Sequence, residues 1–329
     1  MAAILLSRGT AALYRDALAA AAREAGLEYR ILHLPDDPHA RLAPEDCAQV
    51  EIAYYTRDIR FSPFNDSFID SLAAASCLKW VHFVTAAIEH FPFVTALLER
   101  GVKLTHSAGS NGEPVAQTAV CGLLMLARRF PHWWAAQGRR EWDPLRHDAL
   151  PRDLAGQTVM IVGLGTIGAA VARFCQAIGM RVVGVRRSPQ RPGDPVHEMR
   201  PPAAIPELLP GCNWVVLACP LTPETQRMIH AGTLARLPRG ACLINVARGG
   251  LADEGAVIAA LKSGQLAGAY LDVFEPEPLA ADSPLWETPN VIVSPHNASA
   301  SAGNDGRATR IFLDNLVSWA HGRPLRNAV

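Results

Sequence analysis

The segment Val159-Met160-Ile161-Val162-Gly163-Leu164-Gly165-Thr166-Ile167-Gly168 constrains this chain more than any other. Four apolar residues of buried-strand type run into three glycines spaced G-x-G-x-x-G, and an alanine-rich helix pattern follows until Gly179. Each glycine has its own steric task. Gly163 permits the tight turn out of the strand, Gly165 permits close backbone approach to a pyrophosphate, and Gly168 lets the helix lie close to the sheet. The helix opening near Thr166 would present free N–H groups and its positive dipole end to phosphate oxygens. Strand, glycine turn and helix together predict a dinucleotide site.

The rest of the chain supplies a fold around this motif. Its 329 residues suggest two domains, and a hydrophobic content of 49% is enough for two ordinary cores. Before the glycines, strand patterns at Ala3–Ser7, Tyr29–Leu34, Ile52–Thr56, Val81–Val84 and Val102–His106 alternate with helices, notably Thr10–Ala25 and Ser67–Ser76. A long helix is expected from Glu113 to about Phe130, opened by the capping pattern Ser110-Asn111-Gly112-Glu113. After it come Trp133, Trp134 and Trp142, read equally well as a core lid or a subunit interface. Six strands are expected from the glycine motif onward: Thr158–Val162, Arg181–Val185, Trp214–Cys219, Ala241–Val246, Ala269–Val273 and Val291–Ser294. A last helix near Ala308–Ala320 is expected to return to the first domain. The alternation implies parallel sheets with helices on both faces.

Composition excludes several classes. Acids and bases balance at 31 each, so no net field draws the chain to nucleic acid or an anionic membrane. No apolar run approaches the ~18–20 residues of a membrane span. Seven cysteines without C-x-x-C spacing fit a reducing compartment and predict no structural metal. The expectation is a cytoplasmic protein.

Chemistry is expected at the carboxyl ends of the second-domain strands, where open α/β sheets bind ligands. After the second strand of that unit stand Arg186, Arg187 and Ser188, with no acid until Asp194. An NAD site usually places Asp or Glu there; two guanidiniums and a hydroxyl suit a 2′-phosphate instead. Charge-assisted hydrogen bonds of ~1.5–3 kcal/mol each predict NADPH over NADH by more than tenfold. Arg248 follows one strand, the acid-rich run Asp272-Val273-Phe274-Glu275-Pro276-Glu277-Pro278 another, and Ser294-Pro295-His296 a third. An arginine clamps a carboxylate, a histidine exchanges a proton near neutral pH, and an adjacent acid would orient it.

The ordered set Gly163–Gly168, Pro220-Leu221-Thr222-Pro223-Glu224-Thr225, Asn245–Gly249, Asp272–Pro278 and Ser294–His296 resembles the D-2-hydroxyacid dehydrogenase family over nearly the whole chain. The resemblance implies two doubly wound parallel-sheet domains with a cleft between them. Residues 1–106 with 297–329 would form a flavodoxin-like substrate domain, and 107–296 a Rossmann cofactor domain. It implies Arg248, Glu277 and His296 as the catalytic arginine, glutamate and histidine, with Glu277 rather than Glu275 beside the histidine. Cofactor contacts would come from Gly163 to Gly168, including Leu164, Gly165, Thr166 and Ile167, and from Arg186, Arg187, Ser188, Cys219, Pro220, Thr225, Val246 and Ala247. Asp272 would hold the nicotinamide carboxamide. The substrate carboxylate would rest on Arg248, His296 and the backbone of Ala86, Ala87 and Ile88. The implied reaction is reversible hydride transfer between NADPH and a 2-keto acid in a homodimer.

Three departures stand out: Arg186 in place of the acid after the second nucleotide strand, as in NADPH-using members; alanine where the carboxylate loop usually has glycine; and Val115-Ala116-Gln117 for Val-Ala-Glu. A cofactor-sensing corepressor on the same scaffold and a phosphite dehydrogenase are the alternatives. Formate oxidation is disfavoured by Glu277, because glutamine occupies that place in such members.

Overall fold

The computed structural model describes residues 2–86, 88 and 90–329, leaving the side chain of residue 148 aside. The chain divides into two compact units, Met1–Asn111 with Ser301–Val329, and Gly112–Ala300. Both crossing points lie a few residues beyond the 106/107 and 296/297 borders expected from sequence. Ser107 stays with the first sheet, its hydroxyl donating to the Phe83 carbonyl at 2.8 Å. Ala298 stays with the second unit, its N–H reaching the Asp272 carboxylate at 3.0 Å and its carbonyl accepting from Thr118.

The first unit is built on a parallel five-stranded sheet: β1 (Ala2–Leu5), β2 (Tyr29–Leu32), β3 (Val50–Tyr55), β4 (Trp80–Phe83) and β5 (Lys103–His106), in the order β2-β1-β3-β4-β5. Strands β1 and β4 are buried along their whole length, the condition that makes parallel strands read as continuous apolar runs. The last helix, Asn304–Ala320, returns to this unit and seats Phe312 on Tyr54 and Trp80, ring centroids 4.7 and 5.4 Å apart. The helix expected at Thr10–Ala25 is two, Arg8–Leu13 and Arg15–Ala25. Tyr14 leaves helical dihedrals between them (φ −111°), and its ring packs against the core formed with Phe312.

The second unit carries seven parallel strands among the described residues: β6 (Thr158–Val162), β7 (Arg181–Val185), β8 (Glu198–Arg200), β9 (Trp214–Leu217), β10 (Ala241–Asn245), β11 (Leu266–Leu271) and β12 (Val291–Val293). Their order is β12-β11-β10-β9-β6-β7-β8, so strand order reverses between β6 and β9, beside the glycine turn. Strand β8 has no counterpart among the six expected: at three half-buried residues, Glu-Met-Arg, it has no apolar run to betray it. The long helix ends at Ala127, and a second one spans Phe130–Arg139. Arg129 takes a left-handed conformation (φ 62°) and Pro131 sits in the new helix's first turn, so the chain must restart there. No helix among the described residues is long and apolar enough to cross a membrane.

Candidate active site

The glycine turn has the geometry its spacing demands. Gly163 adopts φ +95°, and a Cβ there would lie 2.6 Å from the Ala218 carbonyl oxygen. A Cβ at Gly168 would lie 1.9 Å from the Gly163 carbonyl oxygen, so the helix Thr166–Ala177 can approach β6 only through glycine. At Gly165, the N-cap, a Cβ would meet nothing within 4 Å, which leaves open space over the helix's first N–H groups. Gly165 and Thr166 are exposed, whereas the Leu164 side chain is buried in the core and Ile167 packs against it. Leu164 and Ile167 therefore have only backbone to offer a ligand. These features fit a dinucleotide pyrophosphate at the turn.

At the end of β7 the two arginines differ. Arg186 is largely covered and grips Asp194 through both terminal nitrogens (3.2 and 2.6 Å), while its Nε donates to the Ser188 carbonyl at 3.2 Å. Hydrogen bonds from Arg186, then from the Arg191 N–H, hold the Asp194 carboxyl below the usual carboxylate range. Arg186 thus closes the loop, which corrects the reading of two free guanidiniums. Arg187 remains extended, 79% exposed, with only a 3.8 Å approach to Glu224.

Beyond β9, Cys219 is half-buried and Pro220 exposed. The Thr225 hydroxyl accepts from the Thr222 N–H and donates to the Pro220 carbonyl, both at 2.8 Å, so it shapes this loop.

The loop after β10 is stapled by Asn245, a buried residue to which the sequence alone assigns no role. Its Oδ1 accepts from the Ala247 N–H at 3.1 Å and its Nδ2 donates to the Arg248 carbonyl at 2.9 Å. Val246 and Ala247 are buried. Arg248 has an extended backbone and donates from one terminal nitrogen to the Ala247 carbonyl at 2.6 Å. A Cβ at Gly249 would come within 2.1 Å of the Phe274 carbonyl group. Only glycine lets the arginine loop lie against the acid loop after β11.

That acid loop brings Glu277, and not Glu275, to the histidine. Glu277 Oε2 lies 2.7 Å from His296 Nδ1, and Oε1 accepts from the Phe274 N–H at 3.1 Å. Burial pushes the Glu277 carboxyl up, but the hydrogen bonds from His296 and Phe274 and the nearby charges of His296 and Arg248 bring it below its ordinary value. An ionised Glu277 requires a proton on Nδ1, so Nε2 of the half-exposed imidazole is the nitrogen left to exchange protons. His296 itself sits at φ +50°. Asp272 enforces that turn: its carbonyl accepts from the His296 N–H at 2.8 Å, and its buried Oδ1 accepts from Ser294 Oγ (2.5 Å), the Asn297 N–H (2.9 Å) and the Ala298 N–H (3.1 Å). Asp272 is therefore the anchor of the histidine turn.

In the first unit Ala86 is exposed and Ile88 is buried against the core; Ala87 lies outside the described residues. Tyr54 and Tyr55 are fully buried and pack against Phe312 and against Phe68 and Phe83 respectively. Trp142 is exposed.

A glycine-turn dinucleotide fold carrying a histidine–carboxylate pair and an arginine on one sheet edge defines a class, the nicotinamide-dependent oxidoreductases of open α/β architecture. The family model described as D-isomer specific 2-hydroxyacid dehydrogenase, NAD binding domain, matches residues 120–298. The glyoxylate reductase of Korarchaeum cryptofilum is 37% identical over 238 residues, 70% of this chain and 70% of that protein. The structure of a D-isomer specific 2-hydroxyacid dehydrogenase from Xanthobacter autotrophicus Py2, in complex with NADPH and MES, is similar over 100% of this chain and 97% of that one, with 34% identity and a TM-score of 0.71. A family protein from Aeromonas salmonicida covers 100% and 98%, with 32% identity and a TM-score of 0.74. The chain belongs to the D-isomer specific 2-hydroxyacid dehydrogenase family and is an NAD(P)-dependent oxidoreductase.

Proposed function

We propose that this protein reduces a 2-keto acid to the D-2-hydroxy acid with NADPH, reversibly, using Arg248, His296 and Glu277. The 2.7 Å contact between His296 Nδ1 and Glu277 Oε2 carries the reading, because an ionised Glu277 accepts from Nδ1 and leaves Nε2 as the nitrogen that can exchange a proton with a ligand. Bound nicotinamide supplies the hydride. Arg248 holds the substrate carboxylate and polarises the keto oxygen, with one terminal nitrogen fixed on Ala247 and the rest of its fork available. His296 Nε2 gives its proton to the oxygen as negative charge develops there.

NADPH is favoured over NADH by Arg187 and Ser188 at the end of β7, with Arg186 ordering their loop through Asp194. The NADPH bound in the Xanthobacter relative, and the glyoxylate reductase activity named for the Korarchaeum one, support the cofactor and a small keto acid. The exposed rings of Phe130, Trp133 and Trp134 support a homodimer through the helix Phe130–Arg139. Turnover of glyoxylate, hydroxypyruvate and bulkier keto acids with each cofactor tests this function; no turnover with any of them would defeat it.

A further inference from the structure

The second unit has a cavity of about 240 Å³ at the edge of the sheet opposite the glycine turn. Its wall includes Trp214, Ala241 and Ala267, at the amino ends of β9, β10 and β11, and Gln157, just ahead of β6. The glycine turn leaves from the other end of β6, on the order of 15 Å away for a five-residue strand. Three arginines line this cavity, Arg129, Arg152 and Arg239, and none of its described lining residues carries a carboxylate.

The three guanidiniums are held in different ways. Arg129 is fixed by its left-handed backbone (φ 62°) between two helices, and its Nε is buried without a hydrogen-bond acceptor. Arg239 is exposed at the rim and donates to the Ser263 carbonyl at 2.8 Å. Arg152 is exposed and forms no ion pair with any described residue. The neutral amides nearby are already engaged: Gln157 Oε1 accepts from Trp214 Nε1 at 2.7 Å, and Asn213 Oδ1 from the Thr158 N–H at 2.9 Å. Cations gathered around a concave wall whose described residues offer no counter-charge, one of them with a buried unpaired donor, favour an anion from outside the chain.

We propose that this cavity is an accessory anion site, separate from the dinucleotide turn, that takes a phosphate group. Three forks match a tetrahedral dianion, which offers oxygens in several directions, better than a flat monocarboxylate with one charge. The cavity has room for a single phosphate or for the phosphate end of a small phosphomonoester. Its occupant ties the amino ends of β9 to β11 to the junction of the two helices at Arg129, so it stabilises the folded unit.

The test titrates inorganic phosphate, and in parallel glycerol 2-phosphate, into the full-length protein by calorimetry. The protein is held in saturating NADP+ so that the glycine turn is filled, and chloride maintains constant ionic strength. Arg152→Gln/Arg239→Gln is the comparison variant, since both side chains are exposed and their loss leaves the core intact. The site predicts phosphate binding that survives NADP+, at least tenfold weaker in the double variant, and a phosphate-induced rise in thermal midpoint that the variant lacks. Tighter binding of glycerol 2-phosphate would mark an organic phosphate as the occupant, tighter binding of inorganic phosphate the free ion. Binding that disappears when NADP+ is saturating, or that is equal in wild type and variant, overturns the proposal.

Discussion

His296 Nδ1 and Glu277 Oε2 lie 2.7 Å apart, although the residues come from loops after different strands. Two backbone constraints produce that meeting. The carboxylate and carbonyl of Asp272 fold the 294–298 turn so that the imidazole points at the acid loop. The Phe274 N–H fixes the other oxygen of Glu277, so the carboxylate has one orientation to offer.

Replacing Glu277 by glutamine removes the charged partner that the 2.7 Å contact gives His296. Reductive kcat/KM should then fall, and its pH profile should move relative to wild type because the pair has lost its ionised carboxylate. A pH–rate profile of E277Q that superimposes on wild type contradicts the pairing's role.

Arg248→Lys keeps a charge and loses the fork. KM for the keto acid should rise about tenfold or more, with cofactor affinity unchanged. Steady-state kinetics with one keto acid at varied concentration reads this directly; an unaltered KM is incompatible with carboxylate binding by Arg248.

The two arginines after β7 should separate cleanly. Arg187→Ala narrows the preference for NADPH over NADH by about tenfold, the loss of one charge-assisted contact. Arg186→Ala releases Asp194 and lowers the thermal midpoint of the protein without cofactor, which the Arg187 variant leaves in place. Fluorescence titration with both cofactors and a melting curve distinguish them. Equal effects on both readouts would remove the division of labour.

His82 makes the first unit acid-sensitive. It is fully buried, with Nδ1 2.7 Å from Thr105 Oγ1 and Nε2 3.0 Å from Ser107 Oγ. Burial first, then the neighbouring His106, pushes its pKa down to about 3. The folded value lies below the unfolded ~6.5, so the unfolded chain takes up the proton first as pH falls. The stabilisation is complete above about pH 6.5 and is lost from there towards pH 3, at up to ~1.4 kcal/mol per pH unit. Urea midpoints of wild type and H82Q should converge as the pH is lowered from 7 to 4; a constant gap contradicts the assignment.

Much of this architecture is legible in the residues. Gly163 and Gly168 announce their turn because a Cβ at either would collide with backbone, while Gly165 leaves the space over the helix start open. The helix restart at Arg129 is signalled by Phe130-Pro131, since proline belongs in a first helical turn. Other features depend on partners far along the chain. Nothing local distinguishes Arg186 from Arg187; Asp194, folded back from the end of a loop, engages one and leaves the other extended. Asn245 and Asp272 are of the same kind, buried polar residues whose roles as staples appear only once the loops they hold are in place. Tyr54 and Tyr55 follow strand periodicity in a strand covered on both faces, so alternation could not say which would meet a ligand.

The account turns on proton donation by His296, and His296→Gln assayed with NADPH and a keto acid that wild type reduces tests it most directly. The predicted result is a fall in kcat of about 10²–10⁴-fold with the dissociation constant for NADPH unchanged. A variant that turns over at the wild-type rate with intact cofactor binding would contradict it.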